Sequence, residues 1–529
     1  MSSVVRSTAL LLSLLVLLAF HTRASAEPDC AGQSRISETF ANGATWDMCW
    51  ESRIRENLVL SDVYYTPPNG TPKRVLGSAR LSQLHVAYDD SDVTYNDVTQ
   101  YGLGGGYIAE LSENDCPYGD ILTVQTRPAI CRWRSKGNDN YRTPTRSVSA
   151  ESLTLFSVSQ VGAYAYIVTW KFYADGAIEP QIGATGALQR NSDNTELPFG
   201  RVLADDSNTL WLSHTHNYYW RLDFDLGDSA TDDAVTESTT SLMANGQRKT
   251  TVHRFTEEQA RLIDPERPVA WEIWENLQGD TPGADDVGYR IEPVHAGHRL
   301  IRETNEPYTA FDFFTTVVNE CERFASQNAR FNPDCLNHVS QYANGESLVG
   351  ADITLWYRVS FHHVPRNEDQ RNMHTHWDGF TIEPVNMHAS TPGVDVKNNR
   401  APEIAALQNR TDVIGTRIDW QLAASDADGD PIGFSASSLP DGLTLHNNGR
   451  VSGTVNRAGT FNVNIVASDD ITTRSQSFQW QIQVAADTTA SSRSKGGFGA
   501  AGFSVLLMLI GAMCCRRLPC RTRAIQSER

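Results

Sequence analysis

His214 and His216 stand two residues apart in "SHTHNYYWRLDFDLGD", and Asp223 and Asp225 repeat that spacing further along. Side chains at i and i+2 of a strand leave the same face, so each pair is presented side by side. Paired imidazoles suit Cu, Zn, Ni or Fe, although two surface histidines on a strand need no metal, and a metal site requires a third ligand. "WYRVSFHHVPRNED" offers His362 and His363, whose opposite orientations let only one of them face such a site. The two aspartates suit a hard cation such as Ca²⁺ or stand as solvated strand acids.

Short β-like runs must carry these residues. "LVLSDVYY", "AYIVTWKFYADG", "TLWYRVSFHHV" and "GFTIEPV" are broken by Gly, Asn, Asp and Pro through roughly residue 399. The pattern predicts an all-β dominated chain built on a large antiparallel β-sandwich, followed by a second, smaller all-β unit. Only "FTEEQARLID" and "DFFTTVVNECERFASQNARF" read as helices. With 529 residues, 12 Trp and 40% hydrophobic residues, the chain can build more than one core. A formal charge of -18 argues against nucleic acid. It would favour cationic ligands such as amines, though solubility explains it equally well. "GLGGG" lacks the Lys and the strand-loop-helix setting of a phosphate loop.

The ends read as targeting segments. Arg6, the apolar run "ALLLSLLVLLAF" and "ASA" before Glu27 predict a secretory signal over 1–26, and hence export. Disulfides are then permitted. Six of the nine cysteines precede the tail and fall into sequence neighbours, Cys30 with Cys49, Cys116 with Cys131, and Cys321 with Cys335, among fifteen connectivities that six cysteines allow. Residues 400–486 carry "DADGD", "LPDGL" and "GRVSGT" and resemble the cadherin-like and immunoglobulin-like modules of bacterial surface proteins. Asp426, Asp428 and Asp430 there would ligate Ca²⁺ or form a polar turn. A Ser/Gly linker over 487–497 leads to the tail 498–529, and "GGFGAAGFSVLLMLIGAMCCRR" runs from the linker's last two glycines into it. The tail reads either as a one-span membrane anchor or, by resemblance, as a cleavable glycine-glycine sorting signal.

The body, 27–399, resembles the catalytic domain of the copper amine oxidases, the topaquinone enzymes that deaminate primary amines. "HTHNYYWRLDFD" and "HHVPRNED" carry the family's HxH, RLDxD and HxPRxED patterns. The resemblance implies copper on His214, His216 and His363, but not His362. It implies a Ca²⁺-type site from Asp223, Asp225 and Asp352 with the main-chain carbonyls of Phe224 and Ile353. "VGAYAYIVTWKFYADGAIEPQIGATGAL" matches the family's cofactor segment and puts Tyr164 at the position oxidised to topaquinone. Tyr166 shares its face in a regular strand, and only the motif's spacing separates the two. Ala163 and Ala165 replace the family's Asn and Asp or Glu. His374 replaces a proline in "NMHTHWDGFTIEP".

"LHVAYDDSDVTYNDVTQYGLGGG" aligns Asp97 with the family's general base and Tyr88 with the tyrosine that hydrogen-bonds the quinone; Thr99 and Gln100 stand for its Gly and Glu. "CPYGDI" and "AICRWR" fall where the family has a disulfide. The resemblance thus implies an exported, copper- and topaquinone-dependent oxidase acting on a small primary amine and O₂, as a homodimer. Its rival is a catalytically silent metal-binding surface or adhesion protein, favoured by the Ala-Tyr-Ala context. A zinc hydrolase on the same histidines lacks an HExxH-type base.

Overall fold

The computed structural model describes residues 27–485, apart from 91–93, 144, 146, 192–196, 205, 294–305, 389–398 and 470. The leader 1–26, the linker and the tail lie outside the described residues. Among them, two large antiparallel sheets dominate. One runs through the central strands Lys73–Tyr88, His214–Gly227 and Ile353–His363. The other runs through Ser147–Val161, Tyr164–Tyr173 and Ile178–Gly186, with Met373–Gly379 pairing onto the last.

The two inner faces form one core. Tyr164, Tyr166, Val168, Trp170 and Phe172 alternate inward from one strand, as period-2 patterning requires. His214, His216, Tyr218, Trp220, Leu222 and Phe224 do so from the facing sheet. Trp170 meets Trp220 edge to face at 5.1 Å, and Trp271 stacks flat on Phe313 at 4.2 Å. Contacts of this kind hold large sheets face to face through buried aromatic area. The His214–Gly227 strand is buried on its other face too, where Tyr219 and Trp356 pack under Tyr308, Val339 and Tyr342. This double burial explains why the strand carries Tyr218, Tyr219 and Trp220 in succession, with bulky rings on both faces.

Both segments expected to be helical are extended or irregular instead. Within "FTEEQARLID", Gln259–Arg261 is a strand that pairs with Phe313–Val317, part of the second segment. The aromatic and β-branched run "FFTTV" prefers a pleated, half-covered surface to a helix. The rest of that segment is closed by the Cys321–Cys335 disulfide. The Asn328 side chain donates to the carbonyls of Cys321 and Leu336 and accepts from the Arg323 amide, supplying hydrogen bonds a helix would otherwise provide. Cys30–Cys49 and Cys116–Cys131 are bonded as well.

Residues beyond 400 form three separate small sheets, with a core of their own around Trp480, Phe478, Ile465 and Val463. In its acidic turn, Asp426 Oδ1 accepts the amides of Asp428 and Asp430, while the Arg400 guanidinium lies against Asp428. That pairing holds the Asp428 carboxyl below the usual range. The turn therefore has an internal cation already, while Asp426 Oδ2 has no partner.

Gly186 links the fold to the site. It has φ +120°, opposite Tyr164 in the ladder, and a Cβ there would run into the Ala163 carbonyl and the Tyr164 backbone. Gly186→Ala is expected to destabilise the domain by about 1–3 kcal/mol in urea unfolding, because the neighbour to be displaced is backbone rather than a flexible side chain.

Candidate metal centre and its cavity

Sheet register builds the centre. Across three strands, Tyr88, His214 and His363 occupy one rung, so their side chains leave the same face side by side. His214 lies 5.1 Å from the Tyr88 ring and 5.2 Å from the His363 ring, centre to centre. His216 is one inward position along, 4.7 Å from His214. His362 points outward and is exposed, as alternation demands. All three imidazoles of the cluster are at least 98% buried.

Each of two rings is held through one nitrogen, leaving the other free. His216 Nδ1 lies 2.7 Å from the Tyr218 hydroxyl, and His363 Nε2 lies 2.9 Å from Asp369 Oδ2, where a carboxylate accepts its N–H. His214 Nδ1, His216 Nε2 and His363 Nδ1 are buried without a partner. Leaving such atoms unmade costs about 1–3 kcal/mol each, so the arrangement is one that a ligand would relieve. Burial first, then the neighbouring imidazoles, pushes the His216 pKa down to about 3 and His214 well below its ordinary value. These two rings are therefore neutral, the form that binds metal. Neutral nitrogen donors oriented by outer hydrogen bonds fit copper or zinc. Their donor atoms are not drawn as tight as those of two acid triads, in which all three lie within 4.8 Å of one another.

The facing sheet supplies the phenols. Tyr164 and Tyr166 stack at 6.0 Å with planes 13° apart, on one face as strand geometry predicts. Their hydroxyls differ in surroundings. Tyr164 Oη lies 3.5 Å from His214 Nε2 and accepts from Tyr88 Oη at 3.4 Å. Tyr166 Oη instead donates to Asp97 Oδ2 at 2.8 Å. Tyr164 is thus the phenol beside the imidazoles and Tyr88, and Tyr166 is the one committed to the carboxylate. Ala163 is exposed and Ala165 half-buried, and neither side chain can hydrogen-bond.

Asp97 opens a four-residue helical turn directly after Thr94–Asn96, which pairs with the Tyr88 strand. It is 5% exposed, and burial raises its pKa to about 6 against the opposing effect of the Tyr166 hydrogen bond. Asp97, Tyr88, Tyr95, Tyr101, Tyr164 and Tyr166 line one cavity of about 220 Å³. Thr99 and Gln100 make local hydrogen bonds to Asn96, and so help to seat the turn.

The acid triad lies on the opposite face of the histidine strand. Asp223, Asp225 and Asp352 each keep one buried oxygen without a partner. Arg74 touches Asp225 at 2.8 Å, and Ser78 donates to Asp223 at 3.0 Å. Burial, followed by mutual repulsion, lifts Asp352 to about 7; burial also lifts Asp225, to about 6, although Arg74 opposes it. A cation seated among them would reverse that penalty. Phe224 and Ile353 pair across the ladder beside these acids.

Three participants were not singled out from the sequence. Tyr218 follows His216 by two and is placed by alternation alone. Asp369 lies in "PRNED", where a turn brings it back to His363. His376, in the second HxH of "NMHTHWD", projects from the facing sheet to 4.6 Å from the His363 ring. A register shift in its strand leaves His374 exposed and turns His376 inward.

The chain has relatives among known proteins. The model "Copper amine oxidase, enzyme domain" matches residues 36–403, and "Putative Ig domain" matches 401–483. The chain belongs to the copper amine oxidase enzyme-domain family. It is 24% identical to a primary amine oxidase of Pisum sativum over 70% of this chain and 61% of that protein. It is 24% identical to that of Klebsiella aerogenes over 66% of this chain and 52% of that one. The chain thus spans about three-fifths or less of these relatives. Among solved structures, it resembles a copper-containing benzylamine oxidase of Hansenula polymorpha, with TM-score 0.57, 17% identity, and 74% and 64% of the two chains covered. It also resembles an Aspergillus nidulans amine oxidase, with TM-score 0.55, 22% identity, and 67% and 53% covered. These likenesses establish the fold.

Tyr218→Phe and Asp369→Asn remove the partners that orient His216 and His363. Each is expected to weaken Cu²⁺ binding about 10–100-fold in chelator competition, with the fold intact by circular dichroism.

Proposed function

We propose that this protein is an exported copper- and topaquinone-dependent primary-amine oxidase, converting an amine, O₂ and water into an aldehyde, ammonia and H₂O₂. The reading is carried by one observation. The Tyr164 hydroxyl lies between His214 and Tyr88, in a cavity where Asp97 is the one carboxylate among the described residues.

His214, His216 and His363 would hold copper, and Tyr164 would be the topaquinone precursor. Together these groups, when present, supply the two-electron oxidation of the amine. The chain's own residues do the rest. The aromatic walls favour the apolar part of an amine and attract its ammonium group. Asp97 takes the proton from the carbon bearing the nitrogen, and a carboxylate lifted to about 6 is a stronger base than an exposed one while still ionised at neutrality. Tyr166 keeps Asp97 aimed and favours its charged form, and Tyr88 fixes the oxygen of residue 164. Asp223, Asp225 and Asp352, with the carbonyls of Phe224 and Ile353, would take Ca²⁺ as a structural cation. Family likeness supports a homodimer. The leader supports export, and the apolar tail supports membrane attachment.

A second reading has its own observation. Ala163 and Ala165 give Tyr164 no hydrogen-bonding neighbour along its strand, which suits a silent, metal-holding surface protein. Loading purified protein with Cu²⁺ in air separates the two. The oxidase develops a visible quinone band that phenylhydrazine shifts, and Tyr164→Phe abolishes it while copper stays. Colourless copper-loaded wild-type protein would overturn the oxidase reading.

Asp97→Asn is expected to lower kcat/KM about 10²–10⁴-fold with the band retained. Wild-type turnover should fall as pH drops through about 6, where Asp97 becomes protonated. Tyr166→Phe removes a hydrogen bond that favours the charged carboxylate and should move that limb to higher pH.

A further inference from the structure

A fourth imidazole stands at the copper site. His376 lies on Met373–Gly379, in a rung that runs Tyr166, Ala184, His376 across three strands. Directly opposed residues share a face, and Tyr166 and Ala184 are 1% exposed, so His376 points into the space between the sheets. Ala184 contributes only a methyl group between the two larger side chains.

The ring is fixed from the opposing sheet. Phe361 stacks on it at 4.1 Å with planes 25° apart, and His363 meets it edge to face at 4.6 Å. Phe361 is itself the cross-strand partner of His216. His376 Nε2 is buried and has no hydrogen-bond partner, like the free nitrogens of His214, His216 and His363. A stacked histidine that served only as packing would be replaceable by an apolar ring, without leaving a buried polar atom unmade.

We propose that His376 is a fourth nitrogen ligand, closing the copper centre from the sheet that carries Tyr164. The proposal rests on the copper reading above and extends it. Three ligands then come from one sheet and one from the other, so the metal clamps the sandwich as well as serving the cavity. A fourth imidazole also takes a coordination position that a three-histidine centre leaves to small molecules.

The test uses whole protein loaded with Cu²⁺, and reads electron paramagnetic resonance, imidazole counting by electron spin echo modulation, and affinity by chelator competition. His376→Phe keeps the stack on Phe361 and removes the nitrogen; His376→Gln is the second variant should the first misfold. Wild-type protein is expected to show four coupled imidazoles. Each folded variant should show three, with copper bound about 10–100-fold more weakly. Unchanged spectra and affinity within twofold would overturn the fourth ligand while leaving the three-histidine centre standing. Wild-type protein that takes up no copper would overturn both.

Discussion

Antiparallel register is the constraint on which the centre depends. Tyr88, His214 and His363 meet because their three strands are paired so that all fall on one rung. A slip of one residue would turn each imidazole to the far face, among Tyr219 and Trp356. Register is secured by the aromatic contacts between sheets, such as Trp170 against Trp220. The large core is thus the mechanical frame of a small polar cluster.

Burial then acts in opposite senses on the two kinds of titrating group. It disfavours charge on His214 and His216 and leaves those two rings neutral. It also disfavours charge on Asp97, which raises its basicity. Burial between the sheets therefore prepares both a set of nitrogen donors and a proton acceptor, and the hydrogen bond from Tyr166 moderates the effect at Asp97.

Much of this was legible in the sequence because strand periodicity is a local rule. The shared face of the HxH pair, the opposite orientations of His362 and His363, and the shared face of Tyr164 and Tyr166 all follow from alternation, and the family pattern chose His363 as the inward one. The family motifs singled out Asp97, Tyr88 and Tyr164, which the fold brings into one cavity. What alternation does not report is pairing between distant strands. His376 was missed because its orientation depends on a register shift against Ile178–Gly186. The two expected helices failed for a related reason. Their charged residues mimic helical spacing, whereas pairing with a neighbouring strand and a disulfide-closed loop decide the conformation.

The rung also has a kinetic meaning. Its members come from positions 88, 214 and 363, and the facing rungs add 164 and 376. Contacts so remote along the chain form late, because loop closure precedes any gain from them. No early fragment of the polypeptide contains the full set of imidazoles. In the proposed copper centre, metal capture would therefore coincide with the last stage of folding, and partly folded chains would be spared a tightly held redox-active ion.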